Sequence, residues 1–406
     1  MNALPNDAIP SNVPSERVVD FDIYNPPGLE QGFHSAWQAL HGAGVADLVW
    51  TTRNGGHWIA TRGELIRDVF GDYRRFSSRV ILVPKSVGEL HQMIPTTVDP
   101  PQHHRYRTLL NDGLQPRTVA RLEGEVRRVA VELIEAFKAD GQCNFTTAYA
   151  DHFPIRIFMS LVDLPAVDAK QLKGWADQLI RPDGSMTFEE AKERIYEYLR
   201  PVVAARIDSS GTDMITQMIN RKIEGRELTS AEMLDLTAQV MIAGLDTVVN
   251  FLGFAFLFLA QSPEHRRAIA ANPQEQSAAA VDELLRRFPV VTVAREVRSD
   301  MEIDGVMVKQ GDMIVVPTPL VGTDSRMNER PLEVNFQRQG AQHATFGNGR
   351  HLCPGSHLAR LELRVTLEEW FARIPEFTLA PGAKITFHSG IVGVVDALPL
   401  VWNVNR

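Results

Sequence analysis

The sequence predicts a mainly α-helical protein with a small β region. Apolar residues recur at helical spacing over most of the 406 residues, strand-like alternation is confined to three short stretches, and no linker, low-complexity tract or internal repeat divides the chain. A single domain over 21–406 is expected behind a flexible tail over 1–20, MNALPNDAIPSNVPSERVVD. Its prolines and polar side chains stand where a signal peptide needs a positive start and an apolar run.

In chain order, Asp47 to Arg62 reads as a hairpin about Asn54-Gly55. Thr61 and Glu64 have capping-box spacing ahead of Leu65, Ile66, Val69 and Phe70, and Asp99-Pro100 opens a helix carrying His103 and Arg107. Helical patterns follow over Thr118 to Lys138 and Phe188 to Ile207. Thr229 and Glu232 again have capping-box spacing, and the pattern runs on to Ala260 as a helix of about 45 Å. Being apolar on nearly every side, that helix must cross the middle of the molecule. Met301 to Val316 should form strands turning at Asp304-Gly305 and Gln310-Gly311, and Ile385 to Val401 a further pair.

A net charge of -8 argues against a nucleic-acid partner. With only Cys143 and Cys353, no disulfide scaffold is expected and a reducing cytoplasm suits the chain. The most apolar stretch, Val248 to Ala260, is interrupted by Asn250 and shorter than the roughly 20 residues that span a bilayer, so it reads as a buried helix and no membrane role is expected.

Phe346 to Arg360, FGNGRHLCPGSHLAR, places one cysteine on a glycine-bracketed loop that runs straight into a helix marked by Leu358, Leu361, Leu363, Val365 and Leu367. Gly347 and Gly349 can take positive φ and bring backbone close to a ligand. Cys353 then lies near a helix N-terminus, which favours its anion. A buried cysteine taken alone is more often a small hydrophobe. A lone thiolate cannot complete a multi-cysteine zinc site, but one suffices as the axial ligand of a haem iron, and Cys353 reads as that metal ligand.

Within the long helix, Ala243-Gly244-Leu245-Asp246-Thr247 sets small, acidic and hydroxyl residues where a core helix should carry bulk. A helix-interior glycine costs about 1 kcal/mol against alanine, and a threonine hydroxyl can divert a carbonyl, so a widened turn with space beside it is expected. Small residues leave room for a diatomic ligand, Thr247 can hydrogen-bond dioxygen, and Asp246 can relay protons for O–O cleavage. In the competing reading Asp246 caps a kink and Thr247 bonds back to its own helix. Glu283 and Arg286, three apart on one helical face, can pair.

The pattern Phe346, Gly347, Gly349, Arg350, His351, Cys353, Gly355 and Ala359 resembles the haem-binding signature of the cytochrome P450 family, and AGLDT resembles its oxygen-activation motif. The resemblance covers nearly the whole chain after residue 20, through GQCNFT at 141, FPIRIFM at 153, RPDGSMTF at 181, GLDTVVNFL at 244 and ALPLVW at 397. It is nearest to the bacterial camphor-hydroxylating branch. It implies the cytochrome P450 fold with the long helix over haem b, dioxygen as co-substrate, and Asp246 and Thr247 as catalytic residues in hydroxylation of an unactivated C–H bond. His103, Arg107, Arg295 and His351 are implied as donors to the haem propionates, and Glu283, Arg286 and Arg338 as a buried network supporting the haem loop. The chain has no nucleotide-binding or iron–sulfur motif, so electrons must come from outside. The implied donor is a 2Fe–2S ferredoxin with an NADH-dependent reductase, docking near Cys353 on a basic face including Arg67, Arg107 and Arg360.

Departures from that branch bear on substrate. His91 stands where a tyrosine holds a substrate ketone, Met93 where a phenylalanine stands, Gln239 where a leucine faces the pocket, and Val293 where an aspartate lies near a propionate. With Leu82, Thr96, Ile180, Ile242, Ala243, Ile391 and Val392 they describe a mostly apolar cavity. His91 either donates to a substrate carbonyl or points elsewhere and leaves a larger pocket. The expected substrate is a small cyclic terpenoid or norisoprenoid ketone of ionone type. Camphor hydroxylation is the alternative, and a haem-based sensor or carrier without turnover is the alternative of another class. A peroxide-driven enzyme is disfavoured, because peroxide would make the Asp246-Thr247 relay less necessary.

Overall fold

The computed structural model describes residues 9–181 and 184–404, so residues 1–8 of the expected tail and Pro182 and Asp183 of RPDGSMTF lie outside the described residues. Residues 9–20 are not a tail. Val13 is buried, Asn12 donates to the Met307 carbonyl (2.8 Å), Arg17 is ion-paired with Asp304, and Val18 and Val19 pair with Trp50 and Thr51. The two β-branched residues complete a sheet edge that the prolines before them hide in the sequence.

The main sheet contains β1 (Val18–Val19), β2 (Leu48–Thr51), β3 (His57–Ala60), β4 (Phe76–Ser77) and β5 (Thr292–Val297). After a small hairpin of β6 (Met301–Ile303) and β7 (Val306–Val308), β8 (Met313–Pro317) joins it in the order β1-β2-β3-β8-β5-β4. The expected hairpin over 47–62 forms, with Leu48 opposite Ala60 and Asn54 and Gly55 at φ of 52° and 84°. The expected last pair is divided. Phe387–His388 pairs with Val394–Val395, whereas Pro399–Val401 joins Thr378–Leu379 and Gln142–Asn144. Strands of two or three residues carry too little alternation to reveal their partners.

The helices that frame the interior are α1 (Gly63–Gly71), α2 (Gln102–Leu114), α3 (Phe153–Leu161), α4 (Ala169–Ile180), α5 (Phe188–Arg206), α6 (Ser230–Gly244), α7 (Thr247–Gln261), α8 (Pro273–Arg287) and α9 (Ser356–Arg373). The capping box at Thr229 forms in both directions, Thr229 N–H to Glu232 Oε2 at 2.7 Å and Glu232 N–H to Thr229 Oγ1 at 3.3 Å. The one expected at Thr61 does not. Thr61 donates to the Ala46 carbonyl (2.6 Å), and the Asp324 carboxylate takes the Gly63 N–H (2.7 Å) instead. The pattern over 118–138 is divided into Pro116–Ala120 and Glu123–Phe137.

The long helix breaks where expected. Leu245 N–H reaches Ile242 O at 3.5 Å, Asp246 leaves helical geometry (φ −129°, ψ −42°), and Asn250 N–H to Asp246 O at 3.1 Å restarts the ladder. Beyond the break α7 is buried nearly all round, with Phe256 stacked on Phe145 (4.0 Å) and edge-on to Trp370 (5.0 Å). Among the described residues, 230–261 is the one run long and apolar enough to cross a membrane, and most of it is buried in the protein.

Candidate active site

The loop ahead of α9 is shaped by short-range bonds. Gly347 and Gly349 have φ of 74° and 70°, and a Cβ at Gly349 would press on the Gly71 backbone at 2.8 Å, so only glycine serves there. Cys353 N–H donates to Phe346 O (2.8 Å) and Arg107 to Leu352 O (2.5 Å), closing the loop around the sulfur. Burial raises the Cys353 thiol above its ordinary value, while the Gly355 N–H, the Arg107 charge and the Ser356 N–H at the start of α9 oppose it.

Behind this loop the expected support network is assembled. Arg286 Nε and Nη2 meet the Glu283 carboxylate at 2.8 Å each, and Arg338 Nε reaches the same carboxylate at 3.0 and 3.1 Å. Arg286 also donates to the carbonyls of Gly322 (2.5 Å), Pro331 (2.7 Å) and Glu333 (2.8 Å), and Asn335 N–H donates to Glu283 (2.9 Å). Burial raises the Glu283 carboxyl, yet Arg286, the Asn335 N–H and Arg338 outweigh it and hold the group below the usual carboxylate range. Thr345 Oγ1 donates to Leu285 O (2.6 Å), tying the loop to α8.

A cavity of about 380 Å³ opens between this loop, the α6–α7 break and β5. Cys353 lines it, and so do His103, Arg107, Arg295 and His351. The His103 and His351 rings are 4.0 Å apart, and the Nε2 of each is buried without a partner. Arg295 is buried and donates to the carbonyl of its own neighbour Ala294 (2.8 Å); desolvation lowers it to about 10. Desolvation also holds His103 down to about 4 and His351, beside Arg295, to about 2. Two imidazoles with unpartnered nitrogens and two guanidiniums along one edge, with a thiol beside them, fit a flat macrocycle that carries two carboxylates and is held by one thiolate.

The opposite wall contains Ala243, Gly244 and Thr247. Among the described residues no partner hydrogen-bonds the Thr247 hydroxyl, so the back-bonded alternative is not what forms. Gly244 is required for a reason other than the one expected. A Cβ there would collide with the Phe158 ring, so the space beside it is filled from α3 and the two helices approach closely. Asp246 makes no capping bond to α7 and does not line the cavity. It is 1% exposed and accepts from Arg181 at 2.6 and 2.9 Å and from Asn250 Nδ2 at 2.8 Å, with Lys173 Nζ at 3.8 Å.

Of the residues expected to face substrate, Thr96, Gln239 and Ala243 line the cavity, as does Val293. Leu82, His91, Met93, Ile180, Ile242, Ile391 and Val392 do not. Ile81 faces it in place of Leu82, and Ile242 is turned off the Ala243 face of α6. His91 packs edge-on against Phe188 (5.7 Å), its Nδ1 buried without a partner, and desolvation lowers it to about 4. Val392 is buried and bridges to the Val291 backbone. On the expected basic face, Arg360 is paired with Asp282 and lies over the Phe346 ring (5.2 Å), and Arg67 donates to Gln342 (2.7 Å).

Sequence reading missed Arg181, Lys173 and Asn250, which hold Asp246, and Glu362, a cavity-lining carboxyl that burial pushes well above its ordinary value. Glu362 was findable, being an acid four residues after Leu358 on the apolar face of α9. Arg181 and Asp246 lie 65 residues apart, and no local pattern joins them.

Fold and site together define a haem-thiolate oxygenase, and comparison with known proteins agrees. A family model for Cytochrome P450 matches residues 159–374. The "Probable cytochrome P450 127A1" of Sinorhizobium fredii is 32% identical over 97% of each chain, and the "Cytochrome P450 monooxygenase PikC" of Streptomyces venezuelae 27% identical over 94% of this chain and 96% of its own. The crystal structure of CYP101J2 aligns at TM-score 0.90 with 47% identity, and that of cytochrome P450 CYP101C1 at 0.90 with 40%, each covering 97% of this chain and all of the other. The chain belongs to the cytochrome P450 family. It is a monooxygenase that binds haem b and uses dioxygen.

Proposed function

We propose that the protein hydroxylates an unactivated C–H bond of a small hydrophobic cyclic terpenoid or norisoprenoid ketone in the cytoplasm, with electrons from a 2Fe–2S ferredoxin and its NADH-dependent reductase. What carries this reading is one cavity onto which the Cys353 thiol, the Thr247 side chain and an apolar wall including Ile81, Leu110, Phe158, Val240 and Val248 all open. Haem b, when bound, supplies the activation of dioxygen, with electron donation from the thiolate.

The chain's own residues then have separable tasks. Cys353 gives up its proton on ligation, helped by the Gly355 and Ser356 N–H groups and Arg107. His103, Arg107, Arg295 and His351 would donate to the two carboxylates of the macrocycle. Thr247 offers a hydroxyl that no protein group occupies. Asp246 is next in sequence, and its carboxylate must leave Arg181 to pass a proton toward Thr247, so Arg181 and Lys173 set how readily that proton moves. The apolar wall excludes bulk water from the exchange. The ferredoxin face is the one around Leu352, Arg67, Arg107 and Arg360, where Asp282 offsets part of the charge of Arg360.

The test is an optical titration of the ferric holoprotein with camphor and β-ionone, following the haem spin state. A shift with β-ionone and little with camphor supports the substrate class; the reverse restores camphor. Thr247→Ala should keep consuming NADH while releasing peroxide in place of product, and a protein with no NADH-coupled turnover at all would be a sensor or carrier.

A further inference from the structure

We propose that Gln239, and not His91, anchors the substrate's oxygen, and that this makes the enzyme oxidise a carbon remote from that oxygen. The inference rests on the monooxygenase reading above and sharpens its substrate.

Apart from the groups at the thiolate and the carboxylate edge, the polar side chains of the cavity wall are Thr96, Gln239, Thr247, Thr318, Thr345 and Glu362, the last beside the cysteine-bearing loop on α9. Thr318 and Thr345 have committed their hydroxyls to Val291 O and Leu285 O, each at 2.6 Å. Thr247 stands at the helix break beside Asp246, where oxygen chemistry takes place. Gln239 lies one turn before Ala243 on α6, lines the same cavity as Ala243 and Thr247, and its Oε1 is buried without a hydrogen-bond partner. A buried amide left unpaired in an apolar cavity is completed by a ligand that matches it. An amide both donates and accepts, so a ketone or a hydroxyl satisfies it. His91, the other candidate, is packed on Phe188 and off the wall.

Gln239 and Thr247 stand eight residues apart across the break between α6 and α7, a span of about 10 Å, so an oxygen seated on Gln239 is separated from Thr247 by that span less the reach of the side chain. A monocyclic ketone with its carbonyl on a side arm bridges this distance, the carbonyl toward Gln239 and the ring toward Thr247. Hydroxylation then falls on the ring, away from the carbonyl. A compact bicyclic ketone cannot meet both points at once.

The experiment titrates the ferric holoenzyme with β-ionone and with the hydrocarbon of the same skeleton lacking the carbonyl, reading spin state, and analyses the β-ionone products. Wild type should bind the ketone about tenfold more tightly than the hydrocarbon. Gln239→Leu and the closer-shaped Gln239→Met should bring that ratio near one and spread hydroxylation over more ring positions, whereas His91→Phe and Thr96→Val keep the ratio. A ratio that survives both Gln239 variants, or that collapses in His91→Phe or Thr96→Val, overturns the anchor. A normal thiolate-type spectrum of the carbon-monoxide complex with no ketone preference in wild type also overturns the anchor but leaves the monooxygenase standing. Absence of that spectrum in wild type overturns both.

Discussion

The loop carrying Cys353 and the helix break carrying Thr247 face each other across one cavity, yet they are held in opposite ways. Behind the loop, Glu283, Arg286 and Arg338 satisfy one another and a ring of carbonyls, with Glu283 and Arg286 buried. At the break, Asp246 is held by Arg181 and Lys173 from outside its own helix and by Asn250 within it, Arg181 is partly exposed, and Thr247 and Gln239 carry unused hydrogen-bonding capacity toward the cavity. The contrast separates two requirements. An axial ligand must be fixed, and saturating every polar group around it fixes it. Protons and ligands must be exchanged, and that needs polar groups with capacity to spare.

The contrast is broken most directly by removing one acid from each side. Glu283→Ala leaves Arg286 buried without its partner and should cost about 3–5 kcal/mol, seen in thermal unfolding and loss of haem. Asp246→Asn should cost only about 1 kcal/mol of stability, since Asp177 still engages Arg181, yet slow product formation roughly 10²-fold or more at unchanged substrate spin-state titration. If Asp246→Asn unfolds the protein as Glu283→Ala does, the two sides do not differ in kind.

Gly244→Ala tests whether close packing holds the break. The collision with Phe158 should destabilise by about 1–3 kcal/mol, and Phe158→Leu in the same chain should recover most of it, measured by denaturant midpoint.

Acid sharpens the proximal half of the comparison. The Glu283 carboxyl is held below the ordinary value of 4.5, so its contribution is complete above that value and is lost as pH falls beneath it. Melting temperature should drop more steeply below that point in wild type than in Glu283→Gln, and parallel curves would deny Glu283 this role.

The smallest effect is at the start of α6. Thr229→Ala removes a formed capping box and should cost about 1 kcal/mol without moving the spin-state titration, because the cap lies far along the helix from Thr247.

What could be read from the sequence follows from range. The haem loop was legible because two positive-φ glycines, one cysteine and a helix start lie within fifteen residues, and each requirement is local. The Glu283–Arg286 pair and the Thr229 cap were legible because three-residue spacings fix neighbours on a helix. The cap of α1 was not, because Asp324 reaches Gly63 from 261 residues away, and Thr61 had a better acceptor in Ala46 O. Residues 9–20 and 399–401 were misread because a two- or three-residue strand is defined by its partner, not by its own pattern.

By itself the sequence determined the mainly helical class, the break in the central helix and the cysteine-bearing loop that runs into a helix. Periodicity and backbone conformation are set by residues a turn or two apart. Only the tertiary structure decided that Arg181 and Lys173 hold Asp246, that Phe158 occupies the space beside Gly244, and that Gln239 lines the cavity while His91 packs on Phe188. Those outcomes depend on which helix faces pack together. Side-chain volume and long-range charge settle that only once the whole chain is folded.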